Sequence, residues 1–450
     1  MRQNFSLPLF LLFFLPSFYT ISQTTSKWKQ LGAGYYHSIG IKEDGTLWGW
    51  GENSAGQLGN GSKVKSEIPK QIGTDTDWTM ISVGHTFNMA VKADSTLWVW
   101  GNGANSDNYG DPLFAPIRLG IDSNWVKISA GYYNAYGIKS DGSLWSWGGN
   151  LTGELGTGDN MFRVYELPAQ IGTDLDWKDV YGIHQNAFAV KNDSSLWGWG
   201  SNGSGKVGDG SYTNRFSPVH IQSGSKWISI AGSGSHSMGV QSDGTLWTWG
   251  TNFLGQLGFP SAIEGFNTPQ QVGEETSWRK VTGRTGNCLA IKSDSSIWRW
   301  GHDGKAFGEP LYQIFSPILV SRGKWTHVEA SYYHALAMEP PYDKYCAIGF
   351  NNFNQIGIGS MESYYADFTC NNGNALHLEE IKAQRVLEFY PNPTSDKIYF
   401  LNSSDFSIKD LQGNEIMSGK DADEVDLKKI IKGCYLLTQN GVQRKLFIIP

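Results

Sequence analysis

The 450-residue chain is poor in charge, in cysteine and in long apolar runs, and each shortage excludes something. Charged residues are only 17% of the chain, the formal net charge is −6, and no Lys/Arg run occurs anywhere. A nucleic-acid binder needs a basic footprint, so no nucleic-acid partner is expected. Beyond the first 22 residues no apolar stretch approaches the ~20 residues needed to span a bilayer, which excludes membrane insertion of the mature chain. No cysteine lies near the start, so lipid anchoring there has no support. No "GxSxG" nucleophile elbow is present, and no serine sits in an obvious His/Asp constellation. No catalytic residue, cofactor or metal is therefore assigned.

What the chain has is tryptophan and glycine, 19 and 55 residues. The element "LWGWG" at 47 returns as "LWVWG" at 97, "LWSWG" at 144, "LWGWG" at 196, "LWTWG" at 246 and "IWRWG" at 297. A seventh copy, "YCAIG" at 345, keeps the glycine and loses both tryptophans. Between them run Trp28, Trp78, Trp125, Trp177, Trp227, Trp278 and Trp325, spaced 50, 47, 52, 50, 51 and 47 residues apart. The six pairs and seven singles account for every tryptophan, so none is left for an active-site platform. A period near fifty signals a propeller or solenoid.

Each unit reads as four short strands. "WKQLGAG" and "HSIGIK" alternate; "EDG" supplies a tight hairpin; "TLWGWG" places its tryptophans on one face; a long loop leads to "PKQIG". The fold class is thus all-β, a seven-bladed propeller over 27–370. Because the chain opens on the "W…HS" half, the seventh blade is expected to join residues near 345–370 to residues near 28–42, closing the ring with N- and C-terminal strands. Gly51 is expected to face Pro69 across the third hairpin.

The combination "WGxNxxGQLGxG…PxxI…GxxHSxxIxxDGxLW" resembles the regulator of chromosome condensation repeat family. The resemblance implies a seven-bladed propeller whose turn-bearing face engages partners. Guanine-nucleotide exchange, the activity best known for that family, fits poorly with an acidic, exported chain lacking a basic tail.

The ends add a route. "MRQNFSLPLFLLFFLPSFYTISQ" has Arg2, a short apolar run broken by Pro8 and Pro16, and small residues near Ser22, which reads as a signal peptide over 1–22. Residues 386–450 leave the repeat and read as a small β-sandwich behind a linker at 371–385. Pro391-Asn392-Pro393, "DLQG" at 410–413, and Gly433 and Tyr435 resemble the C-terminal sorting domain of the type IX route. The resemblance implies passage through the periplasm of a Gram-negative bacterium, engagement of its outer-membrane secretion machinery, and a secreted or surface location.

Several constellations invite chemistry. Gly200, Gly205 and Lys206 have the spacing of a phosphate loop, but Val207 stands where Ser or Thr would ligate magnesium and no helix follows. The paired aspartates of "GTDTDW" and "GTDLDW" lack the further oxygens calcium requires. His37, His236 and His334 share one repeat position in separate blades, which favours structure over a metal site. Glu52 and Glu154 lie in loops of different blades.

The most informative positions are the first turns. They carry Tyr35-Tyr36, His85, Tyr132-Tyr133, His184 and Tyr332-Tyr333, and are broken by Gly234-Ser235 and Thr285-Gly286. Tyrosine offers large contact area at low entropic cost, so these eight residues are read as the surface for a protein or glycan partner. Long loops on the same face add Phe162, Tyr165, Tyr212, Phe216, Tyr312, Phe315, Tyr364 and Tyr365. The chain is read as a monomeric, non-enzymatic interaction scaffold; the alternative is a secreted polysaccharide hydrolase or lyase. Cys346 and Cys370 flank the last long loop on facing strands, leaving either a bridge or two buried thiols, whereas Cys288 and Cys434 are expected to be free.

Overall fold

The computed structural model describes residues 26–103, 112–159, 163–222, 224–260, 263–284, 286–302, 313–360, 362–371, 389–390, 397–409, 415–426, 433–439 and 442–448. The expected signal segment, the linker beyond Asn371, and the tokens at 391–393 and 410–413 lie outside them. No helix of the described residues is long and apolar enough to cross a membrane. The chain divides into two compact units, Met1–Asn374 and Ala375–Pro450.

The first unit is a ring of seven four-stranded antiparallel meanders. In the first blade the strands are Trp28–Ala33, His37–Lys42, Leu47–Gly51 and Ser66–Gln71. The other blades begin at Trp78, Trp125, Trp177, Trp227, Trp278 and His327. The first strand of each blade lines a central channel.

Local chemistry explains why each repeat folds alike. Asp44 Oδ1 accepts bonds from Thr46 N at 3.0 Å and Thr46 Oγ1 at 2.6 Å, and Trp48 Nε1 donates to that hydroxyl at 2.8 Å. The same Asp–Thr/Ser–Trp chain recurs at Asp94, Asp141 and Asp243. It pins the hairpin to the tryptophan beside it. Gly45 adopts φ 77°, and a Cβ there would stand 2.0 Å from Thr76 O, so the turn and the link to the next blade exclude any side chain.

The second tryptophan of each pair is the core residue. Trp50, Trp100, Trp147, Trp199, Trp249 and Trp300 are at most 2% exposed. One apolar cluster joins Ile39, Ile41, Leu47 and Ile72 of the first blade to Trp78, Ile81, Val83 and Trp100 of the second. Stability thus resides between blades, as expected of a repeat architecture.

Two expectations are corrected. The ring does not close by sharing strands: the last blade, His327–Cys370, has all four of its own. The seventh repeat supplies its own inner strand, so none from the N-terminus is required. Closure is by packing of Trp28, Leu31 and Trp50 against Leu336, Met338, Tyr345 and Ile356, and by Trp28 N donating to Tyr342 O at 2.7 Å. The third hairpin is also offset. Gly51 faces Ser66 rather than Pro69, and Trp48 faces Gln71, because a bulge intervenes between Gly49 and Gly51. The seventh blade keeps the offset, Gly349 facing Tyr365 and Cys346 facing Cys370, and the two sulfurs form a disulfide. Cys288 is free and buried; the side chain of Cys434 lies outside the described residues.

In the second unit the described strands form one five-stranded antiparallel sheet. Its long strand Lys397–Lys409 pairs with Glu415–Asp426 along one edge, and with Phe389–Tyr390 and then Gly433–Gln439 along the other. The expected second sandwich layer is not among these strands.

Candidate partner-binding site

Each long loop of the type "GxNxxGQLG" reaches into the next blade, and this positions the face of the ring. Asn53 organises the first such loop, accepting Leu58 N at 2.9 Å and donating to Ser62 O and Val64 O. The carbonyl of Gln57 then receives Trp100 Nε1 at 3.0 Å and Asn88 Nδ2 at 2.8 Å from the second blade. Gln355 closes the ring identically, through Trp50 Nε1 at 3.0 Å and Ser38 Oγ at 2.9 Å. The first turns, held over these loops, meet at one mouth of the channel.

There the eight predicted residues come together. Tyr35 and His85 have ring centroids 4.1 Å apart, His85 and Tyr132 4.3 Å, and Tyr132 and His184 4.2 Å, an alternating stack of tilted rings, 34–46° between planes, across four blades. Tyr332 reaches over from the seventh blade to within 4.8 Å of Tyr35, 5.8 Å of His85 and 6.1 Å of Tyr132. A second tier holds Tyr36 and Tyr333, stacked at 5.0 Å and 9°, with Phe353 4.4 Å from Tyr36. Tyr133 lies 4.2 Å from Tyr132. All eight are half-buried. Burial, followed by the hydrogen bond to Tyr333, holds the Tyr35 phenol well above its ordinary pKa, and burial first also raises that of Tyr36. Both phenols are therefore held in their neutral form.

The stack stops at Gly234. A Cβ there would meet the His184 ring at an ordinary 3.8 Å, so the next position is open rather than blocked. Exposed apolar side chains stand on the surrounding loops: Phe253 at 69%, Tyr212 at 61% and Leu151 at 46%. Phe253 and Leu151 were not singled out from sequence, although both occupy the residue after the loop asparagine. Three of the other predicted loop aromatics are packed into the fold. Phe216 and Phe315 pack on Gly153 and Gly255 of the preceding blades, and Tyr365 is buried. Phe162 and Tyr312 lie outside the described residues.

The remaining candidates are structural in their contacts. His37 Nε2 bonds Asn88 Oδ1 at 2.8 Å, His334 Nε2 bonds Ser38 Oγ at 2.8 Å, and His236 Nε2 approaches Cys288 Sγ at 3.2 Å, each linking one blade to the next. Burial pushes His236 and His334 down to about 3. Asp75 and Asp77 share Lys92 at 2.6 and 3.2 Å, and Asp174 and Asp176 share Lys191 at 2.7 and 3.0 Å. Each lysine also lies against two tryptophan rings, as Lys92 does over Trp78 and Trp98. Lys206 is 2% exposed and donates to Gly234 O at 2.8 Å; burial pushes it down to about 8, opposed by the Glu154 charge. Glu154, also 2% exposed, accepts Thr152 N and Oγ1, while Glu52 accepts Asn53 N and Ser54 N. Glu154 and Lys206 thus stand at the Gln57 position of adjacent blades as complementary charges, and neither offers a carboxylate or phosphate contact to a ligand.

Comparison with known proteins agrees with this architecture. The sequence model of the Regulator of chromosome condensation (RCC1) repeat matches residues 44–91 and 193–240, and a second model of that repeat matches 28–57 and 125–154. The Secretion system C-terminal sorting domain matches residues 388–449. Among solved structures, human WBSCR16 superposes with a TM-score of 0.65 at 17% identity, over 72% of this chain and 93% of that one. Yeast RCC1 (Prp20), solved with Kap60 bound, gives 0.61 at 17% identity, over 68% and 78%. At such identities the likeness is one of fold. The chain carries RCC1 repeats on a seven-bladed propeller and ends in a secretion sorting domain, which indicates export to the cell surface or the medium.

Proposed function

We propose that the protein is an exported interaction scaffold that grips a partner with the aromatic mouth of its propeller. The observation that carries this reading is the convergence of eight half-buried Tyr and His residues from five blades into one aromatic patch. Apolar loop residues extend it outward. Tyrosine-rich patches of this kind supply anchor residues at protein interfaces. A protein partner is favoured over a glycan here, because the rings pack against one another at centroid distances of 4.1–5.0 Å, leaving few free faces for a sugar ring to stack on. The C-terminal sorting domain would deliver the scaffold through the type IX machinery.

The fold does not require the patch, since the fifth blade forms with Gly234-Ser235 in the same turn. The test is Tyr36→Ala with Tyr133→Ala. Affinity for a partner recovered from culture supernatant or surface extracts should fall by roughly 2 kcal/mol or more, while stability changes by about 1–2 kcal/mol. Unchanged affinity with a collapsed melting temperature would assign these tyrosines to the core.

A further inference from the structure

The channel has two unlike ends. The inner strands run from the face of the Asp-Gly hairpins to the aromatic face, and the cavity between them measures about 690 Å³. Its lining stops at Val83, Ala130 and Ala330, just short of the turns that carry His85, Tyr132 and Tyr332, so those rings stand across the far end. Its outer rim is made by residues from the beginnings of the inner strands. A smaller cavity of about 280 Å³ shares Gln30, Leu31, Lys280 and Glu329 with it and adds Lys29 and His327.

Chemistry narrows the occupant. Four charged side chains line the bore and are already matched, Lys127 with Asp179 at 2.9 Å and Lys280 with Glu329 at 2.6 Å. The two matched pairs leave the bore without net charge, so an ionic ligand finds no excess of the opposite sign there. An apolar ligand would desolvate them along with the wall hydroxyls, at a cost it could not recover. Those hydroxyls are half used. Ser82, Ser129 and Thr282 each accept a backbone N–H from the next blade, at 2.8, 2.8 and 3.1 Å, and each retains its own proton to donate. Paired carboxylates keep spare acceptor sites as well. Tyr181 adds a flat wall.

We propose that this bore is a second binding site, distinct from the aromatic mouth, and that it takes the end of a neutral oligosaccharide. Sugar hydroxyls both donate and accept, so they can bond the carboxylates and the Ser/Thr protons without disturbing either ion pair. The volume suits a small ligand, and the annex beside Lys29 lets a further sugar unit leave toward the hairpin face.

The test is titration of the exported protein with neutral trisaccharides of glucose, xylose, mannose and N-acetylglucosamine, followed by saturation-transfer NMR and calorimetry. Trigalacturonate and free amino acids serve as charged probes. At least one neutral trisaccharide should bind saturably. Ala231→Phe, which fills the bore, should weaken it at least 10-fold, and Glu329→Gln in the wall should weaken it by a smaller factor. Tyr36→Ala with Tyr133→Ala should leave it unchanged, which separates this site from the one proposed above. The proposal is overturned by no neutral binding, by preference for a charged probe, or by full affinity in both bore variants with their melting curves intact.

Discussion

The fifth and seventh blades share one meander and differ in most of what the meander leaves free. The fifth is built on the repeat pattern. Trp249 is buried and donates to Lys206 O of the previous blade at 2.8 Å, and Asn252 ties its loop through Leu257 N at 3.0 Å and Ile263 O at 3.0 Å. Its turn at the channel mouth, Gly234-Ser235, is bare. The seventh has Cys346 and Ile348 where the tryptophans should stand, yet Asn351 ties its loop in the same way, through Ile356 N at 3.1 Å and Glu362 O at 2.9 Å. Tyr345 stacks on Trp50 at 4.9 Å, and the Cys346–Cys370 disulfide joins its outer strands. Its turn carries Tyr332 and Tyr333. The loop asparagine is therefore the part of the scaffold both blades keep, whereas the tryptophan pair is replaceable when a covalent link takes over. The aromatic mouth varies independently of both.

Three experiments would break or sharpen this contrast. The largest effect is expected from Trp249→Ala in the fifth blade, which empties a site 0% exposed and should cost about 3–5 kcal/mol in urea unfolding. Ile348→Ala in the seventh should cost less, because less volume is removed; equal losses would show that the tryptophan has no special place. Next, Cys346→Ser with Cys370→Ser opens a link across a sequence separation of 24 and should cost about 2–4 kcal/mol. Reducing agent should lower the melting temperature of the native protein and leave that of the double variant unmoved.

The third effect depends on pH. His236 in the fifth blade and His334 in the seventh have folded pKa values near 3 against an ordinary 6.5, because burial disfavours the imidazolium. Below pH 6.5 the unfolded chain binds protons that the folded chain refuses. Each histidine therefore removes stability as the pH falls from 6.5 toward 3, by about 1.4 kcal/mol per pH unit. His236→Asn, the residue found at this position in Asn134, Asn186 and Asn287, should reduce the acid slope by that amount. Replacement of His334 should do likewise, since both blades bury the ring equally. An unchanged slope would mean that the rings are not held neutral.

The strand pattern, the hairpins and the seven-fold count were legible in sequence, because period-two tryptophans and Asp-Gly turns act over a few residues. So was the gathering of the turn aromatics on one face, since a meander puts alternate connections together. The third-hairpin offset was not read from the sequence, because counting alternate residues assumes an unbroken ladder, and the ladder is broken between Gly49 and Gly51, where Gly51 takes φ 96°. Nor was the packing role of Phe216 and Phe315, whose partners, Gly153 and Gly255, are more than fifty residues away. Glu154 and Lys206 looked like chemistry or noise one at a time; as neighbours they read as complementary buried charges.

The sequence by itself determined the repeat and its all-β character, since each is written in local spacing and composition. Only the tertiary structure decided how the ring closes, which aromatics stay half-exposed and where the channel ends. Those depend on which blades become neighbours, and contacts between the first and seventh repeats exist only after some three hundred residues have folded into one ring.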